Sequence, residues 1–197
     1  VSVYYTQLNP VNQVSFTKKL LSMVMAMVLF VAMAICMPAT AEETTYTAAE
    51  NAEFEMEYLK DKLAKAAGVQ TSENGKKTIE ITVDPQSETK EEGYRLSVTP
   101  DRISIIASAK AGAFYGVQTL LQMMPEGIYS EEKTVGKIKI PCAEIEDYPR
   151  FGYRGAGLDV SRTFFPLETI YDFIDWISYH KINTFHWHIT DDNGWRI

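Results

Sequence analysis

Side chains able to do chemistry are concentrated in the stretch TFHWHITDDNGWRI, residues 184–197. It holds two histidines, two tryptophans, two aspartates and an arginine, and it begins with the apolar character of a buried strand. Carboxylates and imidazoles can transfer protons or bind metal ions, and tryptophan rings can stack on the apolar face of a sugar ring. A second stretch, LDVSR at residues 158–162, adds an aspartate and an arginine after another predicted strand. These two stretches form the candidate site.

Arg162 is the first candidate binding residue. Its guanidinium is a planar fork of donors that can hold two neighbouring acceptors at once, such as adjacent sugar hydroxyls or the oxygens of a carboxylate. A purely structural ion pair with Asp159, three residues earlier, explains the same spacing equally well. The spacing by itself leaves both interpretations open.

The adjacent pair Asp191 and Asp192 suggests carboxylates that take part in general acid–base catalysis. Neighbouring residues of an extended chain point to opposite faces, so only one of the two can face a cleft. Asp191 shares its parity with Trp187, whereas Asp192 shares its parity with His188. For either aspartate, capping of the following loop is the simplest structural explanation.

His186 and His188 lie on the same face of the predicted strand, as ligands do in some metal-dependent barrel hydrolases. The chain contains one further histidine, His180, and no carboxylate-rich motif accompanies the pair. Hydrogen-bonded core histidines are therefore the favoured interpretation, with a metal-dependent hydrolase as an alternative. We expect no metal and no cofactor. Trp187 and Trp195 are either core residues or sugar-stacking platforms.

Two predicted strands and a helix position these residues. The strands are YRGAGLDVS, residues 153–161, and INTFHWHIT, residues 182–190. Between them, apolar residues recur at helical spacing over residues 167–177, with a proline near the start. This order predicts a βαβ unit with parallel strands. Because substrate groups gather at the carboxyl ends of such strands, Arg162 and Asp191 are expected at one rim.

The residues before this unit predict an α+β domain over residues 42–150. The predicted elements are a helix over 44–67 that ends at Gly68, strands over 77–84, 94–99 and 102–108, a helix over 111–124, and a strand over 138–145. A proline and an aspartate separate the second and third strands, which predicts a tight turn and an antiparallel hairpin.

Residues 1–41 predict an N-terminal extension and a secretory signal peptide. Two lysines precede an apolar run over residues 20–36, and a proline with an A-x-A site ending at Ala41 follows it. An uncleaved membrane anchor is the alternative, because the run is close to the minimum length of a span. Cleavage near Ala41 predicts a secreted or periplasmic protein in which Cys142 is the remaining cysteine and no intramolecular disulfide forms.

The composition narrows the class of partner. The chain has 197 residues, 46% of them hydrophobic and 23% charged, with a net charge of −7. These proportions are typical of a globular protein. An acidic chain without a cluster of basic residues argues against a nucleic-acid or anionic-membrane partner, and it suits a neutral substrate. We expect no stable membrane anchor. The sequence does not determine an oligomeric state.

The segment YRGAGLDVSRTFFPLETIYDFIDWISYHKINTFHWHITDDNGWRI resembles the opening of the catalytic barrel of family 20 glycoside hydrolases, the β-N-acetylhexosaminidases. The segments EGYRLSVTPDRISIIASAKAGAFYGVQTLLQM and IPCAEIEDYPRFGYRG resemble the small domain before that barrel. The strings LDVSR and HWHITDDNGWR are highly specific together. The resemblance implies an α+β N-terminal domain, residues 42–150, followed over residues 151–197 by the first βαβ unit of a truncated TIM (β/α)₈ barrel.

The resemblance also implies a reaction. It is the exo-acting removal of terminal β-linked N-acetylglucosamine or N-acetylgalactosamine from glycans, with retention and with the substrate's acetamido oxygen as nucleophile. Arg162 would bind hydroxyls of the terminal sugar, and Asp191 would support the catalytic acid through a histidine further along the barrel. The family's catalytic Asp-Glu pair does not occur in residues 1–197. We therefore expect an N-terminal fragment that is inactive alone; a non-catalytic carbohydrate-binding or interaction module is the alternative.

Overall fold

The computed structural model of the chain describes residues 35–40, 45–72, 75–192 and 194–195. By its internal contacts the chain divides into residues 1–35 and residues 36–197, and the architecture below is that of the second unit. Most of the predicted signal peptide therefore lies outside the described residues. Within the part that is described, no helix combines the length and the apolar character needed to span a membrane.

The strands and helices fall into two groups along the chain. The elements up to Asp147 are β1 (Ile35–Thr40), β2 (Thr45–Glu50), α1 (Glu53–Ala67), β3 (Lys77–Val83), β4 (Tyr94–Val98), β5 (Arg102–Ala107), α2 (Lys110–Gln122), a 3₁₀ helix (Glu126–Tyr129), β6 (Lys137–Pro141) and β7 (Ala143–Asp147). Those after it are β8 (Gly155–Asp159), α3 (Leu167–Tyr179), β9 (Thr184–His188), β10 (Thr190–Asp191) and β11 (Gly194–Trp195).

The first group builds a five-stranded sheet in the order β2-β3-β5-β4-β7. The pairs β2–β3 and β3–β5 are parallel, and β4 is antiparallel to both β5 and β7. A row of apolar residues crosses the sheet at matched register, with Ile81 beside Ile105, Ile105 beside Leu96, and Leu96 beside Ile145. The side chains of Ile81, Ile105 and Leu96 are fully buried. Because alternate residues of a strand share one face, this row places the core on one side of the sheet.

Helices α1 and α2 cover the apolar face of the sheet. In α1, Met56, Leu59 and Leu63 recur at helical spacing and are buried. The helix ends as predicted at Gly68, whose φ of 67° is the left-handed conformation that glycine adopts without strain. We call the sheet with these two helices the sheet region, residues 45–147.

Two predicted boundaries in the sheet region are wrong. The helix predicted over residues 44–67 begins only at Glu53, because residues 45–50 form β2, which pairs with the distant strand β3. The single strand predicted over residues 138–145 is two strands that separate at Cys142. The first of them, β6, pairs with β1, and the second, β7, pairs with β4. In both cases, pairing with a strand distant in the sequence determined where the observed elements begin and end.

Cys142 is disulfide-bonded in the structure of this uncut chain. The sequence predicts no intramolecular disulfide for a chain cleaved near Ala41, whereas the structure is that of the chain before cleavage.

The antiparallel hairpin predicted between residues 94 and 108 is confirmed by the pairing of β4 with β5. Its turn is closed by a bond from the Thr99 N–H to the Arg102 carbonyl oxygen, 2.8 Å long.

The second group contains the parallel βαβ unit that the sequence predicts. Strands β8 and β9 pair in parallel over their whole length, from Gly155 beside Thr184 to Asp159 beside His188. Helix α3 connects them and packs back onto β9, since the rings of Phe173 and Phe185 lie 5.5 Å apart. We call residues 154–188, which include Arg154 directly before β8, the βαβ unit.

Two polar clusters join the βαβ unit to the sheet region. In the first, the Arg154 guanidinium donates to the Glu92 carboxylate at 2.9 and 3.2 Å and to the Tyr115 hydroxyl at 2.9 Å. In the second, the Lys181 ammonium lies 3.1 Å from a carboxylate oxygen of Asp147. Both cationic residues flank the amino-terminal ends of β8 and β9, so the bonds lie at the end of the strands opposite to Arg162.

Gly112 gives a test of the packing between α2 and the residues that lead into β4. A Cβ atom there would overlap the backbone oxygen of Gly93, and backbone cannot move aside as a flexible side chain can. We expect Gly112→Ala to lower the free energy of unfolding by about 2 kcal/mol through overpacking. Gly136→Ala is the matched control, because a Cβ there meets nothing within 4 Å. Urea denaturation followed by far-UV circular dichroism measures both, and equal stabilities would contradict the predicted clash.

Candidate active site at the strand ends

The candidate site lies where β8 and β9 end. Their parallel register places the last residues of the two strands, Asp159 and His188, side by side. A turn that carries Ser161 and Arg162 follows β8, and the short hairpin of β10 and β11 follows β9. Both stretches that the sequence singles out therefore meet at one rim, because parallel strands of equal length end at the same edge of a sheet.

Asp159 organises the turn after β8. Its Oδ1 accepts the backbone N–H groups of Ser161 and Arg162, each at 3.0 Å, and its Oδ2 accepts the Arg162 Nη1–H at 2.6 Å. The backbone N–H of Arg162, followed by its guanidinium, lowers the pKa of the Asp159 carboxyl to about 2. From the sequence, Asp159 was interpreted only as a structural ion-pair partner of Arg162. An aspartate two residues before a turn N–H is the typical signal for this backbone role.

The Arg162 guanidinium bridges the two strand ends. Its Nη1 bonds to Asp159, and its Nη2 forms an ion pair with Asp191 of β10. Hydrogen bonding to Asp159, followed by the charge of Asp191, raises the pKa of the guanidinium. The structure thus contains the ion pair with Asp159 that the sequence left open, and it also brings together Arg162 and Asp191. The arginine side chain is 67% exposed, so its donors are within reach of a ligand.

Asp191 is the member of the aspartate pair that faces Arg162. Asp192 instead lies in the turn between β10 and β11 with a φ of 45°, the left-handed region in which aspartate is tolerated. The parity of an unbroken strand grouped Asp191 with Trp187, but the strand is interrupted at Ile189. The interruption brings the Asp191 carboxylate into the same cluster as His188, whose Nδ1 is 3.5 Å from Asp159 Oδ2.

Ser161 connects the two sides of the rim. It is buried, and its hydroxyl donates to the backbone oxygen of Gly194 at 3.2 Å. This bond fastens the hairpin that carries Asp191 onto the turn that carries Arg162. Sequence reasoning did not identify Ser161 or Gly194, because the contact joins residues far apart in the chain.

Gly194 provides a test of this contact. A Cβ atom there would lie 2.7 Å from Ser161 Oγ and 2.9 Å from the Ser161 carbonyl oxygen, which is closer than packed atoms approach. We expect Gly194→Ala to push the hairpin away and to weaken the Arg162–Asp191 pair, at a cost of about 1 to 2 kcal/mol in stability. Urea denaturation measures the cost, with Gly152→Ala as control because a Cβ there meets nothing within 4 Å. Identical unfolding of both variants would contradict the tight contact.

The remaining aromatic and imidazole groups divide between the two faces of β9. The rings of Phe185 and Trp187 stack at 6.1 Å on one face, and those of His186 and His188 lie 6.2 Å apart on the other. Trp187 therefore packs with the core of the βαβ unit, whereas Trp195 is exposed. Among the residues described, no group of three or more histidine, cysteine or acidic side chains is placed to hold a metal ion.

Two family models match the chain. "Glycosyl hydrolase family 20, domain 2" matches residues 38–148, and "Glycosyl hydrolase family 20, catalytic domain" matches residues 151–197. The first match ends where the sheet region ends, and the second contains the βαβ unit and the whole candidate site.

Curated relatives and solved structures agree with these matches. A "Beta-hexosaminidase" of Porphyromonas gingivalis is 47% identical over 119 residues, which are 60% of this chain and 15% of that protein. One of Vibrio furnissii is 38% identical over 148 residues, 74% of this chain and 22% of that protein. The GH20 beta-N-acetylhexosaminidase of Streptomyces coelicolor superposes with a TM-score of 0.71 at 33% identity, covering 81% of this chain and 33% of that chain.

The chain spans less than a quarter of the length of these two curated relatives. A second solved structure, the beta-N-acetylhexosaminidase of Bacteroides fragilis, superposes with a TM-score of 0.63 at 31% identity and covers 81% of this chain and 31% of that chain. The likeness thus extends across both the sheet region and the βαβ unit. With one family model covering more than half of its residues and the other covering the rim that holds Arg162 and Asp191, the chain belongs to glycosyl hydrolase family 20.

Proposed function

We propose that this chain is the N-terminal part of an exo-acting β-N-acetylhexosaminidase. The reaction is removal of terminal β-linked N-acetylglucosamine or N-acetylgalactosamine from glycans, with retention and with the substrate's own acetamido oxygen as nucleophile. Membership of the family and the names of the relatives support this proposal. The observation that carries it is the Arg162 guanidinium, which is held at the strand ends by Asp159 and faces Asp191.

The geometry of Arg162 supports the role that the family resemblance implies for it, which is to bind hydroxyls of the terminal sugar. One side of the fork is bonded to Asp159, which leaves the Nη2 side to exchange its pairing with Asp191 for hydroxyls of a terminal sugar. A neutral sugar has several adjacent hydroxyls, and a planar fork can serve two of them. Asp191, once released from Arg162, can accept a hydrogen bond from the histidine that the resemblance places further along the barrel, where it supports the catalytic acid. The catalytic Asp-Glu pair is absent from residues 1–197, so this chain alone is proposed to be inactive.

We propose further that residues 42–150 form an α+β domain and that residues 151–197 open a (β/α)₈ barrel. The parallel pairing of β8 and β9 around α3 supports this, since such a barrel repeats that unit. Helix α3 also exposes Tyr171, Ile174 and Trp176, large side chains that the following barrel elements would cover.

The reading frame beyond the codon for Ile197 tests the proposal. We expect it to continue through further βα units and to encode an Asp-Glu dipeptide at the end of a later strand. The product of that frame, called the extended protein below, should hydrolyse a chromogenic N-acetyl-β-glucosaminide. A frame that stops at Ile197, or an extended protein that binds the sugar without turnover, would contradict the enzyme and favour a binding module.

Export from the cytoplasm is a separate proposal. The apolar run over residues 20–36 and the A-x-A site ending at Ala41 support a cleaved leader and a secreted or periplasmic protein. Cleavage there would remove β1 and leave β6 without that neighbour. N-terminal sequencing of the exported protein should give a start near Glu42, and a mature chain that retains residues 35–40 would contradict the cleavage site.

A further inference from the structure

We propose that Asp159 is a positioning residue of this site, which holds the Arg162 guanidinium in the orientation that presents it to the ligand. The inference rests on the proposed function, because it assigns a second residue to the same sugar-binding step. Asp159 acts through Arg162 and makes no contact with the substrate in this proposal.

The first step of the argument is that the Asp159 carboxylate is itself fixed. Its Oδ1 is held by two backbone N–H groups, those of Ser161 and Arg162, at 3.0 Å each. These donors belong to the turn at the end of β8, so the carboxylate cannot rotate without breaking them. Its Oδ2 also lies 3.5 Å from Nδ1 of His188, the neighbouring residue on β9. The turn after β8 therefore fixes the carboxylate, and the His188 imidazole of β9 lies beside it.

The second step is that this fixed carboxylate restrains a long side chain. An exposed arginine has many rotamers, and an ordinary surface ion pair does little to select one, because holding two long side chains has an entropic cost. Here the partner is short and already held by the backbone, so only the arginine loses freedom. Nη1 of Arg162 approaches Oδ2 at 2.6 Å, a short charge-assisted bond. A preorganised donor loses less entropy when the ligand binds.

The third step separates Asp159 from Asp191. Both carboxylates contact the guanidinium, but they take opposite sides of the fork. Asp159 is three residues away in the same turn, whereas Asp191 approaches from the hairpin after β9. In the proposed site the Asp191 side must open to admit the sugar. Asp159 can keep its bond throughout and is the partner that determines where the free donors point.

Two substitutions at Asp159 in the extended protein separate positioning from folding. Asp159→Asn keeps an oxygen for the two backbone N–H groups but replaces the other oxygen with an amide donor, which repels the guanidinium donors. Asp159→Ala removes both functions. We expect Asp159→Asn to lower kcat/KM for the chromogenic N-acetyl-β-glucosaminide about tenfold to a hundredfold, mainly through KM, with little change in Tm. Asp159→Ala should lower Tm as well.

A double-mutant cycle with Arg162→Ala supplies the readout that a merely structural role would not give. If Asp159 acts through Arg162, adding Asp159→Asn to Arg162→Ala should change kcat/KM by less than about twofold. Independent, multiplied effects would overturn the proposal. Asp84→Asn is the matched control, because Asp84 also bonds a backbone N–H two residues on, that of Gln86 at 2.8 Å, and it lies in the sheet region. We expect it to leave kcat/KM and Tm unchanged.

A structural measurement distinguishes failure of this inference from failure of the proposed function. An extended protein with no hexosaminidase activity would refute the function, and the crystal structure of its Asp159→Asn variant would still decide the positioning. Displacement of the Arg162 guanidinium from its wild-type place supports the inference. A guanidinium that stays in place, or normal KM in an active Asp159→Asn enzyme, refutes it.

Discussion

Replacing Arg154 with alanine is expected to detach the βαβ unit from the sheet region. The loss of stability should be about 2 kcal/mol, between the values for a surface ion pair and for a fully buried one, because both side chains are partly buried. All three tryptophans of the chain lie in or after α3, so their fluorescence reports the βαβ side, whereas far-UV circular dichroism reports the whole chain. The fluorescence transition of the variant should move to lower urea and separate from the circular dichroism transition.

The size of this effect follows from the number of groups that Arg154 satisfies. Its side chain is only 16% exposed and donates to the Glu92 carboxylate and the Tyr115 hydroxyl of the sheet region. Its Nε–H donates to the Lys181 carbonyl oxygen at 2.7 Å, and its Nη1–H donates to the Phe151 carbonyl oxygen at 2.8 Å. Alanine would leave the half-buried Glu92 carboxylate without its cation, which costs more than the loss of a surface pair.

Arg95→Ala is the control for this prediction. Arg95 also contacts two carboxylates, those of Glu88 and Glu146, but both lie 3.5 Å away and all three side chains are exposed. Surface pairs of this kind contribute between about 0 and 1 kcal/mol. If Arg95→Ala and Arg154→Ala have equal effects, or if the two optical transitions of Arg154→Ala coincide, the bonds of Arg154 do not hold the two parts together.

The same contact predicts a pH dependence. Hydrogen bonding from Arg154 lowers the pKa of Glu92 below its ordinary value of 4.5. A carboxyl whose pKa is lower in the folded state stabilises the fold fully above its unfolded value, and that stabilisation is lost as the pH falls through the folded value. The difference in stability between wild type and Arg154→Ala should therefore be constant above about pH 5 and shrink in more acidic solution. A difference that grows on acidification would contradict this coupling.

Replacing Arg162 with alanine in the extended protein should lower kcat/KM for the chromogenic N-acetyl-β-glucosaminide about a hundredfold or more. In the proposed site the change removes two donors to the sugar, and it leaves Asp159 and Asp191 without their shared cation. Loss of hydrogen bonds to a charged group costs about 1.5 to 3 kcal/mol each, and 1.4 kcal/mol corresponds to tenfold. Steady-state kinetics over a range of substrate concentrations measures the effect.

Lysine at the same position tests the geometry of the fork. Arg162→Lys keeps the charge but presents a point cation, which cannot serve two acceptors in a plane. We expect it to recover at most about tenfold of the activity lost in Arg162→Ala. Arg102→Ala is the control, since Arg102 is an exposed arginine of the sheet region that pairs with Glu80 and with no residue of the candidate site. If Arg162→Ala retains full activity, Arg162 does not bind the sugar and the proposed role is wrong.

The features that the sequence predicted correctly rest on local periodicity. Apolar residues at helical spacing place α3 between two strands, and a helical crossover of this kind indicates parallel strands, as the pairing of β8 with β9 confirms. Once the strands are parallel, residues that follow them must meet at one edge. The proximity of Arg162 and Asp191 was therefore predictable from chain order, and the structure shows it.

Tertiary structure decided the features that depend on partners distant in the chain. Residues 45–50 form a strand because they pair in parallel with the edge of β3, and the helix begins only after them, at Glu53. The strand predicted over residues 138–145 divided at Cys142 because its halves pair with different strands. Propensity within a short window cannot rank these pairings, since their hydrogen bonds and burial belong to the assembled sheet.

The sequence by itself determined the types of residue at the rim and their order along two strands. The folded structure alone decided that Asp159 binds the backbone and the guanidinium together, that Ser161 fastens the hairpin, and that Asp191 faces Arg162. The physical reason is that side-chain direction after a strand ends depends on turn geometry and on contacts across the rim. Such contacts have no period in the sequence, and they exist only once both strands are in place.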